Sequence, residues 1–402
     1  MALTARGATQ DVVRRHNLSV LLGHVHRQGP TSRAELTRLL GLNRSTIGDL
    51  VDDLVARRLV EETSRLQHSA PGRPSKLVRA RTDTVAVVAI AIEVETVNLA
   101  AVTLGGEVLE RGEFACGGAD ERAFAPLVVR LCRAMRGLER KLPLGVELIG
   151  LGVAVPGVVC QHDGMVRVAP NLGWDETPVG KRLRERLGLP VVVGNDANLG
   201  AIAEHARGVA AGVDNLVYVH GEVGVGGGVI SNGALLTGSA GYGGEVGHMR
   251  VNPQGSPCRC GSWGCWETEV GEDVLVAKAG RRSGGRPAVD KVLQAAAAGE
   301  PRAVAAVEDV ARWLGVGLVN IAACYNPDMV VLGGLFATIL SLAAPVIVAE
   351  LSAGLTNSGH LDLVLVPPML GDEAVLMGAA ESAFDSLLGD PAQFPARSPA
   401  RR

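Results

Sequence analysis

The stretch GGEVGHMRVNPQGSPCRCGSWGCWE, Gly243 to Glu267, places one imidazole and three thiols in a short, glycine-rich loop: His248, Cys258, Cys260 and Cys265. One imidazole and three thiolates form the Cys₃His set that closes a tetrahedral Zn²⁺ site. All four positions are taken, so the spacing predicts one structural zinc per chain and no catalytic metal. Glycines beside the sulfurs, Gly261 and Gly264, allow the loop to turn back on the ion.

The rest of the composition fits a reducing compartment. The seven cysteines of this 402-residue chain are an odd number with no secretory leader before them, which argues against a disulfide framework. The longest uninterrupted apolar run, Val85 to Ile92, is far short of a bilayer span of about 20 residues. A cytoplasmic protein with no membrane partner is expected. Apolar residues at 47% and charged residues at 20% describe a globular chain, and its length predicts two or three domains. Aromatic content of 3% excludes a stacking platform for single-stranded nucleic acid.

Charge is divided along the chain. Residues 1–81 carry 14 Lys/Arg against 7 Asp/Glu, a net +7, while the remainder is net −10. A basic head on an acidic body predicts a polyanion site confined to one domain. The same region reads as three helices. Leu18, Leu21, Leu22 and Val25 share a helical face that ends at Gly29-Pro30. Thr31-Ser32 caps a second helix, with Glu35 at the capping-box position and Gly41 at its end. Asn43 caps a third, with Ile47, Leu50, Val51 and Leu54 on one face.

This is the helix-turn-helix pattern. Arg44, Ser45 and Thr46 crowd the first turn of the third helix, where a recognition helix meets base edges and phosphates. Ser32, Arg33 and Asn43 join them as candidate DNA contacts. Glu61 to Ser69 reads as a wing, and Pro71 to Lys76 as a linker whose Arg73 suits the negative minor groove.

From Val85 the texture becomes strands alternating with helices, an α/β body with mixed sheets. The repeated order predicts a first α/β lobe over 82–196 and a second, holding the zinc motif, over 197–386. The winged helix-turn-helix with its linker occupies 1–81, and 387–402 reads as a disordered tail.

Further motifs add a resemblance. Gly243 to His248 with its Cys box, Val155-Pro156-Gly157, Pro170 to Trp174, Asn195-Asp196-Ala197-Asn198 and Leu332-Gly333-Gly334 together resemble the ROK family of sugar kinases and repressors, over residues 85–385. The head with Gly72-Arg73-Pro74 resembles the DNA-binding module of the family's repressors. The resemblance implies an actin-like (ribonuclease-H-like), two-lobed body. It also implies sugar contacts from Gly157, Asn171, Asn195, Asp196, Glu245, His248 and Glu267. His248 would touch zinc and sugar through its two ring nitrogens. Asp196 stands where the kinases keep their general base, a group able to take a hydroxyl proton.

The nucleotide side departs from the kinases. Where they carry an Asp-(Ile/Leu)-Gly-Gly-Thr phosphate loop, this chain has Ile92-Glu93-Val94-Glu95-Thr96. Gly224 to Gly228 keeps a second loop, but Glu222-Val223 replaces the usual Gly-Thr. A carboxylate about 4 Å from a phosphate charge costs about 4 kcal/mol at an effective dielectric near 20. The expectation is a sugar-responsive repressor, a homodimer or homotetramer on operator DNA, that senses a sugar or sugar phosphate without phosphoryl transfer. Asp196 is then a vestigial base, and no residue is catalytic. The alternatives are an active sugar kinase with a regulatory head, and a regulator sensing a protein partner.

Overall fold

The computed structural model describes residues 9–64, 76–117, 124–282, 284–355 and 363–396. They fall into two compact units. One comprises Met1–Val153, Gly180–Val192 and Ala379–Arg402, and the other Ala154–Val179 and Val193–Gly378.

The first unit begins with helices α1 (Gln10–Gln28), α2 (Arg33–Leu40) and α3 (Arg44–Ala56). Leu18, Leu21, Leu22, Leu36, Ile47, Leu50 and Leu54 form their shared core, each buried. Helix α1 starts about two turns before the apolar periodicity does, because Thr9 accepts the Val12 N–H and caps an exposed first turn. A short strand β1 (Thr31–Ser32) and the hairpin of β2 (Val60–Ser64) and β3 (Lys76–Ala80) form a sheet in the order β1-β3-β2. The wing's return strand therefore begins at Lys76, where the sequence suggested the end of a linker. Val78 and Ala80 alternate inward on β3 and pair with Glu62 and Val60, which no local turn signal announced.

A five-stranded sheet follows, built from β4 (Val85–Ile92), β5 (Thr96–Thr103), β6 (Val108–Ala115), then, after helix α4 (Phe124–Glu139), β7 (Glu147–Val155). Every residue of β4 is buried, the mark of a strand covered on both faces. Next in the chain come three short strands, β8 (Val158–Cys160), β9 (Met165–Ala169) and β10 (Trp174–Thr177), a small antiparallel sheet that the sequence reading missed. Helix α5 (Val179–Leu187) and β11 (Val191–Asn195) complete the larger sheet, in the order β11-β7-β4-β5-β6.

The second unit continues with α6 (Asp196–Arg207) and strands β12 (Leu216–Gly221), β13 (Val225–Ser231) and β14 (Ala234–Leu235). After the Cys-rich loop come helices α7 (Glu267–Val270), α8 (Glu272–Lys278), α9 (Arg286–Ala297) and α10 (Pro301–Tyr325). Strand β15 (Met329–Gly334), helix α11 (Leu335–Gly354), strand β16 (Val364–Val366) and helix α12 (Ala374–Gly389) end the series. The sheet order is β14-β13-β12-β15-β16, with β12 antiparallel to β13 and parallel to β15.

Trp266 and Phe336, both fully buried, stack at 6.4 Å in the core of this unit. Helix α11 is long and apolar enough to cross a membrane, but Leu335, Phe336, Ile339 and Ile347 lie buried in that core. It kinks at Ala343, two residues before Pro345.

Two boundaries differ from the sequence reading. The helical head shares a unit with β4–β6, and the end of α12 belongs to that unit as well. The stretch expected to be disordered from 387 is folded as far as it is described. Helix α12 runs to Gly389, Pro391–Gln393 forms a 3₁₀ turn, and Arg57 donates to the carbonyls of Ala392, at 2.8 Å, and Phe394. Those long-range bonds order a segment that its composition does not.

Candidate functional site

The Cys-rich loop is held open for a metal by its own backbone. Gly264 has φ +63° and packs so tightly on Asn252 that a Cβ would lie 1.6 Å from the Asn252 carbonyl oxygen. Cys258 N–H donates to Ser262 O and Gly264 N–H to Ser256 O, both at 2.8 Å. Trp266 anchors the far side, buried and donating its Nε1–H to the Trp313 carbonyl at 2.9 Å.

The ligand atoms of His248, Cys258, Cys260 and Cys265 lie within 4.8 Å of one another. Cys260 and Cys265 sulfurs are 3.7 Å apart, as are Cys258 Sγ and His248 Nδ1. A Zn–S bond of about 2.3 Å gives a tetrahedron with edges of about 3.7 Å, so the donor set fits a four-coordinate ion. The cluster can hold a metal.

The same second unit gathers the residues that the resemblance marks for sugar. His248 turns Nδ1 to Cys258 and Glu267, 3.7 Å away, and Nε2 toward Glu245 at 3.9 Å. Its two nitrogens therefore serve two neighbourhoods. Asn195 caps α6 by accepting the Asn198 N–H at 3.0 Å, and donates through Nδ2 to the Gly157 carbonyl at 2.9 Å. Gly157, at φ +122°, is a glycine because a Cβ there would strike the Val168 carbonyl at 2.4 Å.

Asp196 accepts the Ala197 N–H at 2.8 Å. Burial pushes its carboxyl up to about 6, opposed by His220 and the Ala197 bond and reinforced by Glu222 and Glu245. Glu245 is raised too, by burial and by Glu267, against the pull of His248. Asn171 has its Oδ1 engaged by the Arg259 guanidinium at 2.9 Å, a link from the Cys-rich loop to the Pro170–Leu172 turn. Arg259 lies 88 positions away in sequence, so only its place between two metal ligands could have singled it out.

The two loops that the resemblance sets against the kinase phosphate loops each carry a hydrogen-bonded carboxylate. Glu93 accepts from Thr96 Oγ1–H at 2.8 Å and Asn98 Nδ2–H at 3.3 Å, which seals the β4–β5 turn, and Val94 is exposed. In the second unit, Gly226, Gly227 and Gly228 are ladder residues of β13, opposite Gly226↔His220, Gly227↔Val219 and Gly228↔Tyr218 on the register of β12. Glu222 does not stand alone: its Oε1 accepts from His220 Nε2–H at 3.1 Å. That hydrogen bond lowers the Glu222 pKa against its burial. Burial works against a charged His220, but the Glu222 bond and the nearby negative charges outweigh it and raise its pKa. His220 escaped the sequence reading because its partner lies two residues on in a strand.

In the head the candidate DNA contacts divide into two groups. Ser32 Oγ accepts the Glu35 N–H at 3.2 Å, and Asn43 Oδ1 accepts the Thr46 N–H at 2.8 Å and the Ser45 hydroxyl at 2.7 Å. Arg33 is drawn inward, donating to Glu62 at 2.6 Å and Asp52 at 2.8 Å. These side chains build the turn. Arg44 and Ser45 stand exposed on the first turn of α3, and Arg44 forms no ion pair with a described residue. Arg73 lies outside the described residues.

With this geometry in view, comparison with known proteins assigns the chain. The ROK family model matches residues 87–385, about three-quarters of the chain. The chain belongs to the ROK family. A MarR family model matches residues 19–68, the helical head of this ROK protein.

The xylose repressor of Bacillus subtilis is 29% identical over 382 residues, covering 95% of this chain and 98% of that protein. A crystal structure of a ROK family transcriptional regulator, described as a homolog of the E. coli MLC protein, superposes with a TM-score of 0.76 at 25% identity, covering 94% and 98%. The glucokinase of Halalkalibacterium halodurans is 33% identical over 257 residues, but these span only 60% of this chain and 77% of that enzyme. The repressors thus match head and body together.

Proposed function

We propose that this ROK protein is a sugar-responsive transcriptional repressor of carbohydrate-metabolism genes, working in the cytoplasm as a homodimer or homotetramer on operator DNA. The observation that carries this reading is a division of labour within one chain. An exposed Arg44 tops a recognition helix, while the body has kinase-type sugar residues and carboxylates where kinases hold phosphate. Zinc in the His248, Cys258, Cys260 and Cys265 cluster would be structural, holding His248 and Glu267 in place beside the sugar. Asn171, Asn195, Asp196, Glu245, His248 and Glu267 would bind hydroxyls, with Gly157 fixing Asn195. Bound sugar shifts DNA affinity only by its preference between two conformations, typically 1–3 kcal/mol.

Arg44→Ala is expected to weaken operator binding by at least tenfold while leaving sugar binding unchanged. Fluorescence anisotropy on a selected operator duplex, repeated across a salt series, measures this. Wild-type affinity should fall steeply with salt through counterion release. Undiminished binding by the variant would remove Arg44 from the interface.

Asp196 gives a test that separates sensor from kinase. The matching glucokinases and the raised Asp196 pKa favour the kinase reading. The sensor reading expects no ADP release with magnesium-ATP across a sugar panel, and sugar affinity that weakens as pH falls through about 6. Below that value the Asp196 carboxylate takes a proton and ceases to be a pure acceptor. Asp196→Asn should bind sugar weakly at every pH. Turnover near 10 per second, about the enzyme median, abolished in Asp196→Asn, would make the protein a bifunctional kinase.

A further inference from the structure

The turn that carries Glu222 is pinned on every side. Tyr218 and His220 alternate on one face of β12 and Glu222 follows at its end. The Tyr218 hydroxyl meets His220 Nδ1 at 3.0 Å, and His220 Nε2 meets Glu222 Oε1 at 3.1 Å. Tyr218 is fully buried and His220 is 18% exposed. The imidazole lies so close to β15 that a Cβ at Gly333 would come within 2.8 Å of its Nδ1. Both ring nitrogens are engaged, so the ring cannot rotate and its hold on Glu222 persists. The Glu222 N–H donates to the Gly224 carbonyl at 2.9 Å, which fixes the turn itself.

This turn abuts the sugar residues. A Cβ on Gly224 would lie 2.9 Å from Glu267 Oε2, and one on Gly226 would lie 3.9 Å from Asp196 Oδ1. Glu222 and Glu245 both act electrostatically on Asp196. Four carboxylates, Asp196, Glu222, Glu245 and Glu267, thus share one neighbourhood. Among the described residues, the cations on the Glu222 side are committed, His220 to Glu222, and Arg286 to Asp290 at 3.2 Å and Glu272 at 3.5 Å, while Arg259 lies on the Asn171 side.

We propose that the effector is an uncharged sugar, and that Glu222, oriented by His220, is the specificity residue that rejects its phosphorylated form. The inference rests on the sugar-sensing reading and narrows its ligand class. A hydroxyl can donate to Asp196, Glu245 or Glu267, with Glu222 standing behind them as a charge. A phosphoryl group on the hydroxyl that faces Asp196 has no proton to give at neutral pH, and brings about two negative charges into a field of four carboxylates. The Glu222 side chain is 62% exposed, and its hydrogen bond from His220 Nε2–H favours the position that keeps the charge beside Asp196.

The test is calorimetric titration of the full chain with matched pairs: glucose and glucose 6-phosphate, mannose and mannose 6-phosphate, N-acetylglucosamine and its 6-phosphate. Wild type is expected to bind at least one free sugar about 100-fold or more tightly than its phosphate. Glu222→Gln keeps the shape and removes the charge, and should reduce that ratio at least tenfold while leaving affinity for the free sugar within about threefold. The wild-type comparison needs no variant to fold. A phosphate that binds as tightly as its parent sugar overturns the inference and leaves sugar sensing intact. An unchanged ratio in Glu222→Gln, with folding confirmed by circular dichroism, removes Glu222 as the discriminating residue. Failure of both members of every pair to bind overturns the sugar-sensing reading, and the inference with it.

Discussion

Cys265→Ser is expected to abolish metal binding and lower the unfolding temperature of the second unit by about 10 °C or more. Cys265 is fully buried, and its sulfur sits one tetrahedral edge from Cys260. It precedes Trp266, the largest fully buried side chain of that core, and faces Arg250 across a β-bridge. Loss of one ligand therefore affects both the ion and the packing that the loop supports. Structural zinc is worth about 10–16 kcal/mol of apparent binding free energy in small peptides. Even a third of that, about 4 kcal/mol, shifts the midpoint of a unit this size by about 8–16 °C. Elemental analysis of wild type should find about one zinc per chain, and a chelator should reproduce the thermal shift. Metal-free wild type with an unchanged midpoint would refute the assignment.

His26→Ala should loosen the head's first helix by about 3 kcal/mol, as expected when one member of a buried charged hydrogen bond is removed. His26 is completely buried, and Glu381 on α12 is 3% exposed. The Gly105 N–H donates to His26 Nδ1 at 2.9 Å, which selects the tautomer whose Nε2–H donates to both Glu381 oxygens, at 3.1 and 3.2 Å. Alanine leaves the Glu381 carboxylate without that donor, facing an Arg27 guanidinium 3.9 Å away.

Glu381→Gln retains an acceptor for His26 and should cost less than half as much. Hydrogen exchange across residues 10–28 reads the difference directly, since 3 kcal/mol accelerates opening about 100-fold. Equal exchange in His26→Ala and wild type would mean that α1 is held by its apolar face alone.

Head, metal centre and wing differ in how far they could be read from the chain. The helix-turn-helix was legible because its signals are local. Ser32 caps with Glu35 three residues on, Asn43 with Thr46, and Gly41 ends α2 at φ +65°. The metal cluster was legible for the same reason, three of its ligands falling between Cys258 and Cys265. Such signals need only a few residues to adopt one backbone conformation, and residue type biases that directly.

Other features depended on partners that the chain brings together from afar. Arg33 looks like a DNA contact until Glu62, on the wing, draws it inward. His26 looks like a surface histidine until Glu381, 355 positions later, meets it in the core. The β8–β10 strands are three to five residues long, too short for a clear alternation, although Asp163-Gly164 and Gly173 mark their turns, and their pairing is stabilised by cross-strand contacts and burial. The sequence by itself determined which residues cap, turn and cluster as candidate metal ligands. Tertiary structure decided which charges are spent inside the protein and which, like Arg44, stay exposed, because a side chain's free valence depends on what long-range packing places beside it.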